Sequence, residues 1–283
     1  DLTIERNGRP VRYFAMPGVP SEMRLMWQET VADAVRRSTG IERVVLHHQI
    51  HCFGAGESKI ESMLPDMIRR GRIPRVGITA SDATITLRIT AEAASVDECR
   101  RQMISTIETI DQCLGDLVYG TGEDRLQDAV GRLLERSGKT LAVVEWGTRA
   151  AVCDLLAESP AAQSAFRGGW TIRDLDFVRQ VFGLEIYSQN PSRAELRPED
   201  VVAIAEAGRR LAGTDLCLAV GPAPHYDPTA ENPSPVLVAL AAAGGDEQLV
   251  EPFPYTSSPA ILNTLTAKRA LNFLRHFLLR SAD

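Results

Sequence analysis

Residues 139–156 read KTLAVVEWGTRAAVCDLL. A short apolar run, Leu141 to Val144, ends in one acid, Glu145, and apolar residues return at helical spacing through Ala151, Leu155 and Leu156. Strand, tight turn, helix is the arrangement in which α/β proteins place ligands and nucleophiles, because the turn presents free backbone N–H groups at the carboxyl end of a strand. Yet this turn carries Trp146 and Arg149 where small hydroxyl, thiol or glycine residues are expected. It is either a working site or one that has been filled in.

Outward from this stretch, helical and strand patterns alternate. Leu126, Ala129, Val130, Leu133 and Leu134 mark a helix before it, and further helices are predicted around 149–158 and 173–182. PEDVVAIAEAGRRLAG begins a helix with Pro198 in its first turn. DLCLAV, PVLVALAA and QLVEPF read as strands, and Leu262, Leu265, Leu271, Leu274 and Leu278 share a closing helix. Interleaved strands and helices over 122–283 imply a three-layer α/β/α sandwich with a mostly parallel or mixed sheet.

Residues 41–121 read as a small α+β, KH-like unit. RVVLHHQIHCFG, RVGITAS and ATITLRITAEA are predicted strands, the last with Ile85, Leu87 and Ile89 on one face. Ile60, Met63, Leu64, Met67 and Ile68 form a helical stripe that Pro65 should kink. A second helix carries Cys99, Met103, Ile107, Ile110 and Leu114 on one side, with Ser95 as its cap. GDLVYGTGED closes the unit as a linker.

Residues 1–40 give a short strand, a Pro/Gly-rich loop and a helix from about Ser21, with Ser21 as N-cap and Glu22 in the first turn. A lone strand needs neighbours that so short a segment lacks, and the first residue is Asp1. The expectation is the end of a larger domain.

The chain has 283 residues, enough for two or three domains, and ordinary composition with 44% hydrophobic and 24% charged residues. A net charge of −6 argues against a general nucleic-acid binder. Five cysteines, Cys52, Cys99, Cys113, Cys153 and Cys217, are odd in number, widely spaced and without a CxxC pair, which fits a reduced cytoplasmic protein. No apolar run approaches the ~20 residues of a membrane span, and no signal peptide or lipidation motif is visible.

Three stretches together resemble one family, the competence/damage-inducible CinA proteins. They are FAMPGVPSEMRLMW at 14–27, FGAGESKIESMLPDMI at 53–68 with GDLVYG at 115–120, and GRLLERSGKTLAVVEWGTRAAVCDLLAESPAAQSAFRGGW at 131–170. The resemblance implies that 1–40 end a molybdopterin-binding-type domain, of which Pro17, Gly18, Val19, Pro20, Ser21 and Glu22 are the surviving loop. Nucleotide pyrophosphatase-type activity would belong to the rest of that domain. It further implies that 122–283 is related to a nicotinamide mononucleotide deamidase, with a nucleotide or nicotinamide-type ligand and a homodimeric assembly as expectations.

Active relatives carry Glu-Ser-Cys-Thr-Gly-Gly after the first strand of that domain, with the serine as nucleophile. Here Glu145 and Thr148 match, Trp146 stands at the nucleophile position, Gly147 at the cysteine, and Arg149 and Ala150 at the glycines. Indole offers no deprotonatable nucleophile. Gly168 and Gly169 survive, but the relatives' tyrosine and lysine positions read Arg173 and Val178, and a valine neither moves a proton nor stabilises an oxyanion. The relatives' Thr-Gly-Ile-Ala-Gly-Pro loop is not recognisable in the proline-rich 216–236, and YTSSPAILNTL lacks their arginines. These losses predict a degenerate, non-catalytic domain acting as scaffold, dimerisation unit or nucleotide sensor. The alternative is a working amidohydrolase using Ser137, Ser164 or Thr148, though Thr148 shows no base partner in the sequence.

Other constellations favour structural roles. His47, His48, His51 and Cys52 alternate across a strand, leaving two side chains per face, too few for a metal site on their own. RRGRIPR at 69–75 reads as a basic helix C-terminus, with RNA contact as the competing reading, although GAGES is not the loop of a KH RNA binder. His225, Tyr226 and Asp227 read as a rigid surface loop, since adjacent side chains diverge. Trp146 and Trp170 either line a cleft able to stack a ring or fill the core. No metal and no cofactor are expected.

Overall fold

A computed structural model describes residues 1–281 except 41, 42, 70, 187–195, 228, 230, 232, 245–248 and 256. The chain falls into two compact units, one of residues 1–46 and 91–102, the other of 47–90 and 103–283.

The smaller unit opens with a hairpin, β1 (Leu2–Arg6) and β2 (Arg9–Tyr13), paired antiparallel. Its turn is Asn7-Gly8, with φ of 54° and 72°. Both residues are left-handed, the conformation that Asn-Gly adopts most readily and that matches strand twist. The predicted lone strand is therefore corrected: β2 has its neighbour in β1. The helix α1 (Pro20–Met26) starts one residue earlier than expected, with Val19 at the N-cap and Pro20 at the first position, so Ser21 is inside the helix and caps nothing. Proline belongs there because its missing N–H would have no partner in any case. One π-turn, Trp27–Val31, leads into α2 (Ala32–Thr39), which Gly40 ends in a left-handed conformation.

A four-stranded sheet follows, in the order β4-β5-β3-β6, from β3 (Val44–Cys52), β4 (Arg75–Ser81), β5 (Thr84–Ala93) and β6 (Val118–Thr121). Ile85, Leu87 and Ile89 are buried, as their alternation predicts. The helix α3 (Glu57–Met63) stops instead of kinking: Leu64 is extended, the conformation forced on a residue that precedes proline. The basic run at 69–75 is thus not a helix C-terminus. Arg72 turns inward to the Pro74 carbonyl and the Thr106 hydroxyl, both at 3.0 Å, while Arg70 lies outside the described residues. Ser95 caps α4 (Val96–Leu114) by accepting from the Glu98 N–H at 3.2 Å. On α4, Thr106 is buried where Ile107 was expected. The expected linker at 115–124 opens instead with a helical turn, Gly115–Leu117, followed by β6, which pairs antiparallel with β3.

The remaining elements are α5 (Leu126–Ser137), β7 (Leu141–Trp146), α6 (Ala151–Ala157), β8 (Phe166–Ile172), α7 (Leu175–Phe182), α8 (Pro198–Ala212), β9 (Leu216–Val220), β10 (Pro235–Ala242), β11 (Leu249–Pro254) and α9 (Leu262–Arg280). The sheet is mixed, in the order β11-β10-β9-β7-β8, with β7 parallel to β8 and β9, and β10 antiparallel to β9 and β11. The alternation of β7 divides two apolar layers. Leu141 and Val143 face Leu134, Leu156 and Leu274 of α5, α6 and α9; Ala142 and Val144 face Val178 and Val201 of α7 and α8. This is the α/β/α sandwich. The strand β8 is not among the strands expected from the sequence, since a glycine pair lowers strand propensity. It forms because Gly169 is the only residue type that fits against β7: a Cβ there would strike the Val143 carbonyl and lie 2.7 Å from Cys153 Sγ.

Candidate functional site

The strand order reverses between β7 and β9. The chain leaves β7 for β8 on one side and returns as β9 on the other. In open α/β sheets this switch point, at the carboxyl ends of the strands, is where a crevice forms and ligands bind. Three loops meet the position here: 147–150 after β7, 221–227 after β9, and Tyr255 after β11.

Glu145, the last inward residue of β7, is fully buried. Its Oε2 accepts from Thr148 Oγ1 at 2.6 Å and from the Val152 N–H at 3.0 Å, and its Oε1 accepts from the Cys153 N–H at 2.9 Å. The residue at the N-cap of α6, Ala150, has no side-chain oxygen to offer. Glu145 therefore supplies across the turn what a capping serine or aspartate supplies locally. The expectation that Thr148 has no base partner is corrected, since the partner is Glu145. Both groups are buried, however, and each carboxylate oxygen already holds a donor of the protein's own.

Trp146 follows Glu145 by one residue and so points to the opposite face of the sheet. It packs half-buried against the layer beneath α7 and α8. Trp170 packs on the same layer, edge-on to Phe182 with ring centroids 5.6 Å apart. Of the two sequence-level readings for these tryptophans, the geometry gives packing. Val178 is fully buried in that layer, and Arg173 is exposed between β8 and α7.

Gly147, Arg149 and Ala150 all have positive φ, 86°, 57° and 60°. The backbone thus keeps a glycine-type turn although two of the three residues carry a Cβ, at a cost of about 1–2 kcal/mol each. The exposed Arg149 lies near the buried Tyr255, whose hydroxyl is raised by burial and opposed by that cation.

The mouth of the crevice is occupied by the chain itself. The Ala223 N–H donates to the Trp146 carbonyl at 2.9 Å. A Cβ on Gly147 would lie 2.9 Å from Ala223 Cβ, and one on Gly221 would strike the Trp146 carbonyl. Gly221 and Ala223 were not singled out from the sequence; the proline-rich context of 216–236 masked a glycine needed for close approach.

Ser137 and Ser164 precede β7 and β8, at the other end of the sheet from Glu145. Ser137 Oγ donates to the Leu134 carbonyl at 3.1 Å and finishes α5. In the loop after β9, Tyr226 donates to the Ser257 carbonyl at 2.7 Å and Asp227 accepts from the Thr229 N–H and hydroxyl at 2.8 and 2.7 Å, while His225 is exposed, so these three form no relay. His47 and His51 each pair a ring nitrogen with a threonine of β5, Thr90 and Thr86, at 3.0 Å. Among the described residues, no three His, Cys, Asp or Glu side chains gather as a metal set, and no helix is long and apolar enough to cross a membrane. Pro17, Gly18 and Val19 form the loop before α1 in the smaller unit, and Pro20, Ser21 and Glu22 are its exposed first turn.

Comparison with known proteins defines the class. Residues 47–120 match the family model described as the damage-inducible protein CinA KH domain. The chain is 32% identical over 265 residues to a CinA-like protein of Synechococcus sp. (strain CC9902), covering 93% of this chain and 63% of that one. It is 27% identical over 234 residues to a putative competence-damage inducible protein of Halothermothrix orenii, covering 82% of this chain and 56% of the relative. A crystal structure of a competence-damaged protein (CinA) superfamily protein from Klebsiella pneumoniae is 18% identical, covering 55% of this chain and 96% of that one, with a TM-score of 0.46. The chain belongs to the CinA family. It spans less than two thirds of the length of the curated relatives it matches.

Proposed function

We propose that this chain is a non-catalytic CinA-like protein, whose α/β/α region keeps the frame of a nicotinamide-nucleotide amidohydrolase and serves as a scaffold for the small α+β region. The observation that carries this reading is Glu145. Its oxygens are committed to Thr148 and to the first turn of α6, inside a crevice mouth already bridged by Ala223. A buried carboxylate already holding three of the protein's own donors, beside a hydroxyl with no exposure, is poorly placed to take a proton from a reacting atom. The scaffold role is supported by α9. Lys268 donates to the carbonyl and carboxylate of Asp82 and to Thr84 Oγ1 in the β4–β5 hairpin, and Arg275 donates to the Asp116 and Val118 carbonyls. Two cations of one helix thus hold the β4–β5 hairpin and the 116–118 segment.

The test is an ammonia-release assay with nicotinamide mononucleotide. No release above the protein-free control is expected. Sustained turnover that disappears in Thr148→Val would overturn the non-catalytic reading. For the scaffold, Lys268→Met should lower the melting temperature and expose 75–90 to hydrogen exchange first; unchanged protection there would reject it.

A further inference from the structure

A cavity of about 540 Å³ lies away from Glu145 and has no part in the site described above. It lies between the 53–56 turn, the β4–β5 hairpin, β11 and α9. Its volume falls in the range of small-molecule sites. Phe253 and Phe273 form one wall, edge-to-face with ring centroids 6.4 Å apart. On α9, Arg269, Asn272, Phe273 and His276 recur at helical spacing and line the same side. Gly54, with φ of 103°, lies beside this wall, and a Cβ there would lie 3.6 Å from Asn272 Nδ2.

The charge of this wall is unbalanced. Arg269 donates to the Pro254 carbonyl but has no carboxylate partner among the described residues, and burial alone depresses its pKa. Asn272 uses its Oδ1 to accept from Arg275 Nε at 3.0 Å, which leaves its amide donors. The acid on the lining, Glu251, is exposed and forms no ion pair with Arg269 among the described residues. Arg269 is half-buried, and a cation so placed without an ion pair gains from a bound anion that supplies the missing counter-charge. The aromatic wall beside it suits a flat ring.

We infer that this cavity binds a small organic anion, a carboxylate or phosphate group carried on a flat ring, with Arg269 and Asn272 holding the anionic group and Phe253 and Phe273 packing the ring. This site is separate from the crevice at Glu145, and its occupancy does not depend on whether that crevice is catalytic.

Benzoate, phenyl phosphate, inorganic phosphate and benzamide are titrated into the full chain and followed by calorimetry and thermal shift. Benzoate or phenyl phosphate is expected to bind and raise the melting temperature, the tighter of the two identifying the anionic group, while benzamide and inorganic phosphate bind far more weakly. Arg269→Gln should weaken that binding by roughly tenfold or more, the worth of a charge-assisted hydrogen bond. Ala80→Trp, at an exposed lining position, should block entry while leaving the unliganded melting temperature near wild type. The inference is overturned if neither ring-bearing anion binds at millimolar concentration, if benzamide binds as well as benzoate, or if binding survives both substitutions.

Discussion

Thr148 Oγ1 donates to Glu145 Oε2 at 2.6 Å, and both residues are fully buried. In a working hydrolase a hydroxyl and a carboxylate this close would form a nucleophile and its base. Here the same carboxylate also holds the N–H groups of Val152 and Cys153. These bonds hold the start of α6, and their loss should appear in stability. Glu145→Ala leaves three buried donors unpaired and is expected to destabilise the chain by roughly 3 kcal/mol or more, whereas Thr148→Val removes one donor and costs about 1–2 kcal/mol. Urea denaturation of the two variants checks the order. Equal small effects would show that α6 does not depend on this cap.

Arg149 and Ala150 hold left-handed backbone at φ of 57° and 60°. Glycine adopts that conformation without the Cβ penalty but loses more entropy on folding. Arg149→Gly and Ala150→Gly are each expected to stabilise by roughly 0.5–1 kcal/mol, and Ala150→Val to destabilise. On the proposed non-catalytic reading, the double glycine variant should release no ammonia from nicotinamide mononucleotide, because Trp146 still stands where the resemblance places a nucleophile. Melting temperature and the ammonia assay read the two outcomes separately.

Gly221 and Gly168 share positive φ, 109° and 116°, but not surroundings. A Cβ at Gly168 meets nothing within 4 Å, while one at Gly221 strikes the Trp146 carbonyl. Gly168→Ala should cost only backbone strain, on the order of 1–3 kcal/mol. Gly221→Ala adds a collision with backbone that cannot swing away, and should cost clearly more or prevent folding. Comparing soluble yield and unfolding midpoints decides this.

Asp215 ties the starts of β7 and β9 together. Its Oδ2 accepts from the Thr140 hydroxyl at 2.7 Å and the Thr140 N–H at 2.8 Å, and the hydroxyl bond, then the backbone bond, lowers its pKa. A depressed carboxyl favours the fold while ionised. Its contribution is complete above the ordinary carboxylate range, near pH 4, and is lost as pH falls through the lowered value. The stability gap between wild type and Asp215→Asn should therefore be largest at neutral pH and shrink in acid. A gap that widened on acidification would contradict the sign.

Much of this was legible in the chain. The apolar run 141–144, the stripe 262–278 and the alternation of 85, 87 and 89 set their elements through the periods of strand and helix, which need no partner to be read. Trp146 in place of a nucleophile was equally visible. What stayed hidden depends on contact between segments distant in sequence. The strand β8, with its glycine pair, does not read as a strand until β7 lies against Gly169. Thr148 looks unpartnered for a local reason, since the turn after β7 must close before its hydroxyl reaches Glu145 three residues back. Gly221 looks like one more breaker in a proline-rich loop until it meets Trp146.

The sequence alone determined the α/β order of most elements and the indole at 146 beside Glu145, because side-chain chemistry and hydrophobic period are local properties. Only the tertiary structure decided that Glu145 holds the first turn of α6, that Ala223 bridges to Trp146, and that Arg269 lines a cavity without an ion pair to Glu251 among the described residues. Each of those turns on which donor, acceptor or charge meets which, and that is fixed by packing across the chain.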